Sequence, residues 1–137
     1  MSTAIRYFTK SKKGNTEKLA ACLAKATGIE ALDVTNDFLA PVDRLFLVNA
    51  MYAANIDREV KEFLKRNQDR IGEIVNFSTS ASGKSTIGLV KAVADELKIQ
   101  VAAEEFHCAA SWIFINKGLP SEEDYKAAAA FAVNMVR

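Results

Sequence analysis

The sequence contains few of the residues that build a disulfide scaffold, a metal centre or a catalytic triad. Its 137 residues include two cysteines, two prolines, one histidine and one tryptophan. Two cysteines do not make a disulfide framework, and reduced thiols in a cytoplasmic protein are the simpler interpretation. A single histidine has no partner set for a metal site or a triad. We therefore predict neither a metal site nor a set of catalytic side chains.

An excess of one charge and long apolar runs are also missing. The 18 basic and 17 acidic residues leave a net charge of +1, which produces no long-range field toward nucleic acid or an anionic membrane. No apolar run approaches the roughly 20 residues that span a membrane. The N-terminus also lacks the apolar segment of a signal peptide. We expect no nucleic-acid partner, no membrane insertion and a cytoplasmic location.

The residues that are present predict an ordinary folded domain. Half of the residues are hydrophobic and 26% are charged. This balance is typical of soluble globular proteins, and the length is sufficient for a substantial core. Internal repeats, low-complexity segments and linkers are not evident. We predict a single domain that spans residues 1–137.

Strand and helix patterns alternate along the chain. The predicted strands lie at residues 4–9, 29–34, 44–49, 74–77 and 99–106. The predicted helices lie at 15–27, after Asp57, at 85–98 and after Pro120. Alternation of this kind indicates a parallel sheet covered by helices on both faces. Five strands in this length suit the order 2-1-3-4-5, in which ligands bind at the carboxyl ends of the strands, beside strand one.

The loop between strand one and helix one has the pattern of a phosphate site. It reads Ser11-Lys12-Lys13-Gly14-Asn15-Thr16. The first amides of a helix point toward an anion placed at its N-terminus, and the helix dipole favours negative charge there. Gly14 allows close approach of the backbone, and the hydroxyl and amide side chains add donors. The alternative interpretation is a helix capped by Asn15 or Thr16.

Three further segments follow strands three, four and five. They are residues 49–55 (NAMYAAN), 77–83 (FSTSASG) and 106–124, which begins Phe106-His107-Cys108. Together with the first loop, and in the same order, they resemble the FMN-binding segments of short-chain flavodoxins over nearly the whole chain. The resemblance implies an α/β, flavodoxin-like three-layer sandwich with a five-stranded parallel sheet of order 2-1-3-4-5. It also implies FMN as the cofactor.

The resemblance implies three groups of cofactor-binding residues. The phosphate loop comprises Ser11, Lys12, Lys13, Gly14, Asn15 and Thr16. The loop after strand three borders one flavin face and comprises Ala50, Met51, Tyr52 and Ala53, with Met51 and Tyr52 as stacking candidates. The loop after strand four holds the pyrimidine edge through backbone groups and comprises Thr79, Ser80, Ala81, Ser82 and Gly83.

Several positions depart from the family pattern or allow two interpretations. A hydroxyl is usual where this chain has Lys13, and the loop after strand four carries no aromatic residue. Similar loops have glycine where this chain has Tyr52, so a left-handed conformation at Tyr52 would cost about 1 kcal/mol more. Trp112 either covers the edge of the flavin ring or anchors its own segment. Cys108 is expected to be a small buried residue rather than a redox centre.

The resemblance implies a one-electron redox carrier between protein partners. Such carriers are typically very acidic, whereas this chain is close to neutral. An FMN-dependent reductase of a small substrate such as a quinone is therefore the alternative, and whether the protein is an enzyme stays open. A scaffold of this fold that has lost FMN is a weaker possibility.

One motif points to a different ligand. Ser82-Gly83-Lys84-Ser85 resembles the end of a Walker A loop and leaves nucleotide-phosphate binding as a minor alternative. The first glycine of that motif would have to stand at position 78, where this chain has Ser78.

Overall fold

The computed structural model describes residues 2–10, 14–111 and 118–136. Within these ranges the chain alternates strands with helices, as the sequence predicts. The helices are α1 (Asn15–Thr27), α2 (Arg58–Arg66), α3 (Ile87–Leu97) and α4 (Glu122–Met135). The strands are β1 (Thr3–Tyr7), β2 (Ala31–Asp33), β3 (Val42–Ala50), β4 (Ile71–Ser80), β5 (Gln100–Val101) and β6 (Phe106–Ala109).

The strands form a parallel sheet in the order β2-β1-β3-β4-β5, and β6 also pairs with β4. The predicted class and order are therefore confirmed. The number of strands was wrong, because the predicted fifth strand at 99–106 is divided into β5 and β6. Both pieces continue along the same edge of β4.

A bulge divides this edge strand. Ile74 is paired with Val101 and Phe77 with Phe106. Residues 75–76 of β4 therefore lie opposite residues 102–105, so the edge strand carries two extra residues. An insertion of this kind bends a strand and interrupts its ladder. The extra residues include Glu104 and Glu105, and the Glu105 carboxylate turns inward to accept a bond from the Ser85 hydroxyl at 2.5 Å.

Each face of the sheet packs against a separate hydrophobic core. Leu45 and Leu47 of β3 belong to the core under α2 and α3, whereas Phe46 and Val48 belong to the core under α1 and α4. All four side chains are fully buried. This alternation is expected where successive side chains of one strand point to opposite faces. The central strands are thereby fixed from both sides, and so are the loops that leave them.

The central strands are longer than their sequence patterns predict. β4 continues through Ser78, Thr79 and Ser80, which the sequence places in a loop. These residues pair with the end of β3 on one side and with β6 on the other. Strand neighbours on both sides override the weak strand propensity of serine.

None of the helices within the described ranges is long and apolar enough to cross a membrane.

Candidate functional site

A cavity of about 740 Å³ lies at the carboxyl ends of β1, β3 and β4. It combines the loop after β1, the start of α1, the loops after β3 and β4, and the residues that follow β6. Its lining residues are Thr9, Lys10, Gly14, Asn15, Thr16, Ala50, Met51, Tyr52, Ala53, Thr79, Ser80, Ala81, Ala110 and Ser111. Its volume is within the range of roughly 300–1,000 Å³ that is usual for small-molecule sites.

The start of α1 forms one end of the cavity. Gly14 is the N-cap residue, with φ −78° and ψ 178°, and among the described residues no side-chain hydrogen bond caps this end of the helix. Capping by Asn15 or Thr16, the alternative interpretation of this loop, is therefore wrong. The Asn15 amide donates instead to the Ser111 hydroxyl at 3.1 Å, and the Thr16 hydroxyl is bonded to the Thr79 hydroxyl at 3.3 Å. These contacts connect the first turn of α1 to β4 and to the residues that follow β6.

The loop after β3 forms the facing wall and turns back on itself within four residues. The Tyr52 N–H donates to the Asn55 carbonyl at 2.7 Å, and the Asn55 N–H donates back to the Tyr52 carbonyl at 2.9 Å. Ala53 and Ala54, between them, have φ values of +48° and +61°. The left-handed residues of this loop are therefore Ala53 and Ala54, and Tyr52 does not adopt the conformation that the sequence predicts to be costly for it. Positive φ at both central positions is the conformation of a type I′ turn, one of the two common two-residue connections between paired residues.

Tyr52 packs against the loop after β1. The Lys10 ammonium lies 4.7 Å from the centre of the Tyr52 ring, and the Lys10 N–H donates to the Tyr52 hydroxyl at 3.3 Å. Phe8 meets the ring edge-on, with centroids 6.5 Å apart. Lys10 also forms an ion pair with Asp57 at 3.4 Å. Tyr52 thus lines the cavity and also joins the two loops that border it.

The loop after β4 closes the cavity on the side of β6. The Ser80 carbonyl accepts bonds from the N–H groups of Gly83 and Ala110, at 3.3 Å and 2.9 Å. The Ser80 hydroxyl donates to the Lys84 carbonyl at 2.8 Å. Gly83 has φ +78°, which suits a glycine in a tight turn. This turn carries Ser82 and Gly83 beyond the residues that line the cavity.

The Walker-like segment does not have the geometry of a nucleotide loop. The Ser85 hydroxyl donates to Glu105, and the Thr86 hydroxyl is fully buried and donates to the Asn49 side chain at 2.6 Å. A Walker A loop would need such a hydroxyl to bind Mg²⁺ beside the phosphates. Here both hydroxyls are bonded within the protein, which argues against nucleotide-phosphate binding.

A second cavity of about 630 Å³ adjoins the first and shares Thr9 and Lys10 with it. It is lined by apolar or aromatic surface from Tyr7, Phe8 and Val34 and by carboxylates of Glu17, Asp33 and Glu59. Burial raises the pKa of the Tyr7 hydroxyl, and the neighbouring Glu17 and Asp33 carboxylates add to this effect. Tyr7 is therefore a neutral hydrogen-bonding group at ordinary pH.

Neither cysteine is placed as a reactive group. Burial raises the pKa of the Cys108 thiol to about 11, and the nearby Asp124 carboxylate acts in the same direction. Cys22 donates to the Tyr125 carbonyl at 3.3 Å, and burial raises the pKa of its thiol as well. Within the described ranges, no group of three or more His, Cys, Asp or Glu side chains is arranged to hold a metal ion.

The structure brings most of the predicted site residues together. All ten predicted residues from Gly14 to Ala81 line the first cavity, whereas Ser82 and Gly83 do not. Ser11, Lys12, Lys13 and Trp112 lie outside the described residues. Four lining residues were not among the predicted cofactor-binding residues: Thr9, Lys10, Ala110 and Ser111, although the last two lie in the segment 106–124 that the resemblance includes. Each lies within three residues of the end of a strand beside the cavity, so the strand order was the signal that could have found them.

Comparisons with known proteins bear on the fold. No protein-family model matches the sequence, and no curated protein matches it significantly. Among solved structures, flavodoxin 1 from Bacillus cereus is 18% identical, with a TM-score of 0.68, and covers 98% of this chain and 95% of its own. A flavodoxin from the domain Archaea is 11% identical, with a TM-score of 0.76, and the match covers 98% of this chain and 96% of that flavodoxin. A short-chain flavodoxin associated with a bacterial microcompartment is 17% identical, with a TM-score of 0.72, and the match covers 99% of this chain and 97% of that flavodoxin.

The chain has a flavodoxin-like fold. In this fold the sheet order reverses between β1 and β3, because β2 lies on one side of β1 and β3 lies on the other. The crevice at such a reversal is where open parallel sheets bind ligands. The first cavity of this flavodoxin-like chain lies at that reversal.

Proposed function

We propose that this protein binds one FMN in the first cavity and carries single electrons between protein partners. The observation that carries the proposal is that one cavity combines the three segments that the sequence assigns to FMN: the start of α1, the loop after β3 and the end of β4. The nearly full-length likeness to solved flavodoxins at low identity supports the same proposal. We also propose that the chain is a member of the flavodoxin family.

The start of α1 suits the phosphate of FMN. The amides of the first turn make no bonds within the helix, and the positive end of the helix dipole faces the cavity. Gly14 has an ordinary φ, so the backbone itself does not require glycine there. The advantage of glycine at this position would be the open space that it leaves for an anion against the main chain.

The opposite side of the cavity suits the flavin ring. Met51 and Tyr52 supply apolar and aromatic surface, and residues 79–81, which line the same cavity, would meet the edge of the ring. When bound, FMN supplies one-electron redox chemistry. The chain's own contribution would be to orient the ring, to exclude water from one face and to hold the phosphate at the helix N-terminus.

Titration of the flavin-free protein with FMN and with riboflavin tests the proposal. Gly14→Ala should weaken FMN binding by roughly 10- to 100-fold, the effect of losing hydrogen bonds to a charged group. Riboflavin has no phosphate, so its affinity should change little. Gly88→Ala is the matched control, because Gly88 lies in α3 and a methyl group there meets open space.

The three possible outcomes distinguish a phosphate site from a general change in the fold and from a nucleotide site. Equal losses for FMN and riboflavin would place the effect of Gly14→Ala in the fold rather than at a phosphate. Unchanged FMN affinity would remove the phosphate assignment. Binding of ATP that Lys84→Ala abolishes would restore the nucleotide interpretation.

The second cavity favours an alternative function, an FMN-dependent reductase of a small substrate such as a quinone. Tyr7, Phe8 and Val34 offer a surface for a ring next to the first cavity, and the three carboxylates disfavour an anionic substrate.

The dependence of electron transfer on ionic strength distinguishes the carrier from the reductase. The rate at which proteins dock through complementary charge depends strongly on ionic strength. With a net charge of +1, weak salt dependence together with turnover of a quinone would support the reductase. Fast, strongly salt-dependent transfer to a protein, without quinone turnover, would support the carrier.

A further inference from the structure

Three buried polar side chains form a closed ring of hydrogen bonds beneath the first cavity. The Thr86 hydroxyl donates to the Asn49 Oδ1 at 2.6 Å, the Asn49 Nδ2 donates to the Asn76 Oδ1 at 2.8 Å, and the Asn76 Nδ2 donates to the Thr86 Oγ1 at 3.1 Å. Each member therefore donates once and accepts once within the ring. All three side chains are fully buried.

The ring joins β3, β4 and α3, the elements that flank the cavity loops after β3 and β4. Asn49 lies in β3, one residue before Ala50, which lines the cavity. Asn76 lies in β4, three residues before Thr79, and Thr86 is the N-cap residue of α3. The Thr86 N–H also donates to the Ser78 hydroxyl at 3.2 Å. The ring thus fixes where β3 and β4 end relative to each other and to the helix that follows the loop after β4.

Stability alone does not account for a ring of this kind. Well-packed apolar side chains often replace buried polar groups at no cost to stability, because polar groups lose their hydration on burial. A polar ring differs from apolar packing in being directional: each bond fixes a distance and a rotation, and loss of one member leaves the others unpaired. No buried side-chain nitrogen or oxygen within the described ranges lacks a partner, so every polar side-chain atom of the ring takes part in at least one hydrogen bond.

We propose that Asn49, Asn76 and Thr86 are positioning residues for the cavity loops after β3 and β4. This inference rests on the proposed function for its ligand, since FMN is the molecule that those loops would hold. The three side chains do not line the cavity. They act through the backbone, by setting the height and separation of the two strand ends.

One hydrogen bond reports on this positioning without any ligand. The Met51 N–H, in the loop after β3, donates to the Thr79 carbonyl of β4 at 3.1 Å. This bond spans the two strand ends immediately above the ring. If the ring holds the strand ends in register, breaking the ring should open this bond more often than bonds elsewhere in β3.

The test compares Thr86→Val with Thr86→Ser. Valine has the shape of threonine but no hydroxyl, so it leaves Asn49 Oδ1 without a donor and Asn76 Nδ2 without an acceptor. Serine keeps the hydroxyl and should restore the ring. Asn67→Ala is the matched control for general destabilisation: Asn67 is also buried and hydrogen-bonded, but it lies at the end of α2 before β4 begins, at the opposite end of the sheet.

Two readouts are needed. In flavin-free protein, we expect hydrogen exchange of the Met51 amide to be roughly 10-fold faster in Thr86→Val, relative to amides at the start of β3, and unchanged in Thr86→Ser and Asn67→Ala. In the presence of FMN, we expect Thr86→Val to bind roughly 3- to 10-fold more weakly, as for the loss of one hydrogen bond. The visible circular dichroism of bound flavin should change in Thr86→Val alone.

The outcomes distinguish this inference from the proposed function. If the Met51 amide responds equally to Thr86→Val and Asn67→Ala, the ring stabilises the fold generally and the positioning role is overturned. If Met51 responds to Thr86→Val alone, the ring positions the strand ends, whether or not FMN is the ligand. Failure of the unmodified protein to bind FMN would then overturn the proposed function and leave the positioning role standing.

Discussion

The two left-handed alanines predict that glycine stabilises this protein at Ala54. Ala54 has φ +61°, where an L-residue other than glycine costs roughly 1–2 kcal/mol. Glycine removes that cost but gives the unfolded chain additional freedom, worth about 0.4–1 kcal/mol. We therefore expect Ala54→Gly to raise the free energy of unfolding by about 0.5–1 kcal/mol. Ala54 does not line the first cavity, which makes it a cleaner test than its neighbour Ala53.

The expected change is measurable by thermal unfolding of the flavin-free protein. For a chain of 137 residues the entropy of unfolding near the midpoint is about 0.29 kcal/mol/K, so Tm should rise by about 2–3 °C. Ala103→Gly is a control at an exposed alanine whose φ is not positive, and it should lower Tm by a similar amount. Gly28→Ala tests the reverse: Gly28 has φ +75° and open space around it, so only backbone strain should lower Tm.

A loss of stability at residue 54 would refute the strain there. If Ala54→Gly lowers Tm as much as Ala103→Gly does, residue 54 is not held in a strained conformation. In that case the left-handed turn after β3 is not present in the ligand-free protein. A gain at Ala54 together with a loss at Gly28 would support the backbone argument at both positions.

Two pH-dependent predictions follow from buried or bonded groups. Burial raises the pKa of Cys108 to about 11, so the unfolded chain releases this proton at lower pH than the folded chain does. The stability of the protein should therefore fall as pH rises from about 9 to 11. When Tm is measured across that range, the fall should be less steep in Cys108→Ala. Hydrogen bonds from Asn67 and Arg66 lower the pKa of Asp37. The contribution of Asp37 to stability should therefore be present above pH ~3.9 and be lost as pH falls below that value. The Tm difference between the unmodified protein and Asp37→Asn should accordingly shrink in acid. A constant Tm difference across either pH range would contradict the corresponding assignment.

Much of the fold could be predicted from the sequence because its periodicities are local. The α1 bounds at 15–27 match the prediction, since the apolar face ends at Gly28, which takes the left-handed conformation that ends a helix. The Asp57 cap of α2 was also predicted, and its carboxylate accepts the Glu59 N–H at 2.9 Å. Signals of this kind lie within a few residues of the element that they define.

The errors arose where distant residues decide the outcome. β4 runs through Ser80 because β3 and β6 supply neighbours on both sides, and no local pattern reveals those partners. The division of the edge strand depends on how residues 102–105 fit against two residues of β4. The buried ring was missed for the same reason, because Asn49, Asn76 and Thr86 are polar residues far apart in sequence that meet only in the folded chain.

The two edges of the sheet affect how copies of this protein behave at high concentration. An unpaired strand edge is a template onto which another chain can add a strand, and long flat edges promote aggregation. Here β2 has three residues, and the opposite edge is interrupted by the two extra residues between β5 and β6. Glu104 and Glu105 place charge at that interruption. Neither edge offers a long straight ladder, so concentrated solutions should resist edge-to-edge association, and deletion of two residues from 102–105 should make the protein more prone to form fibres.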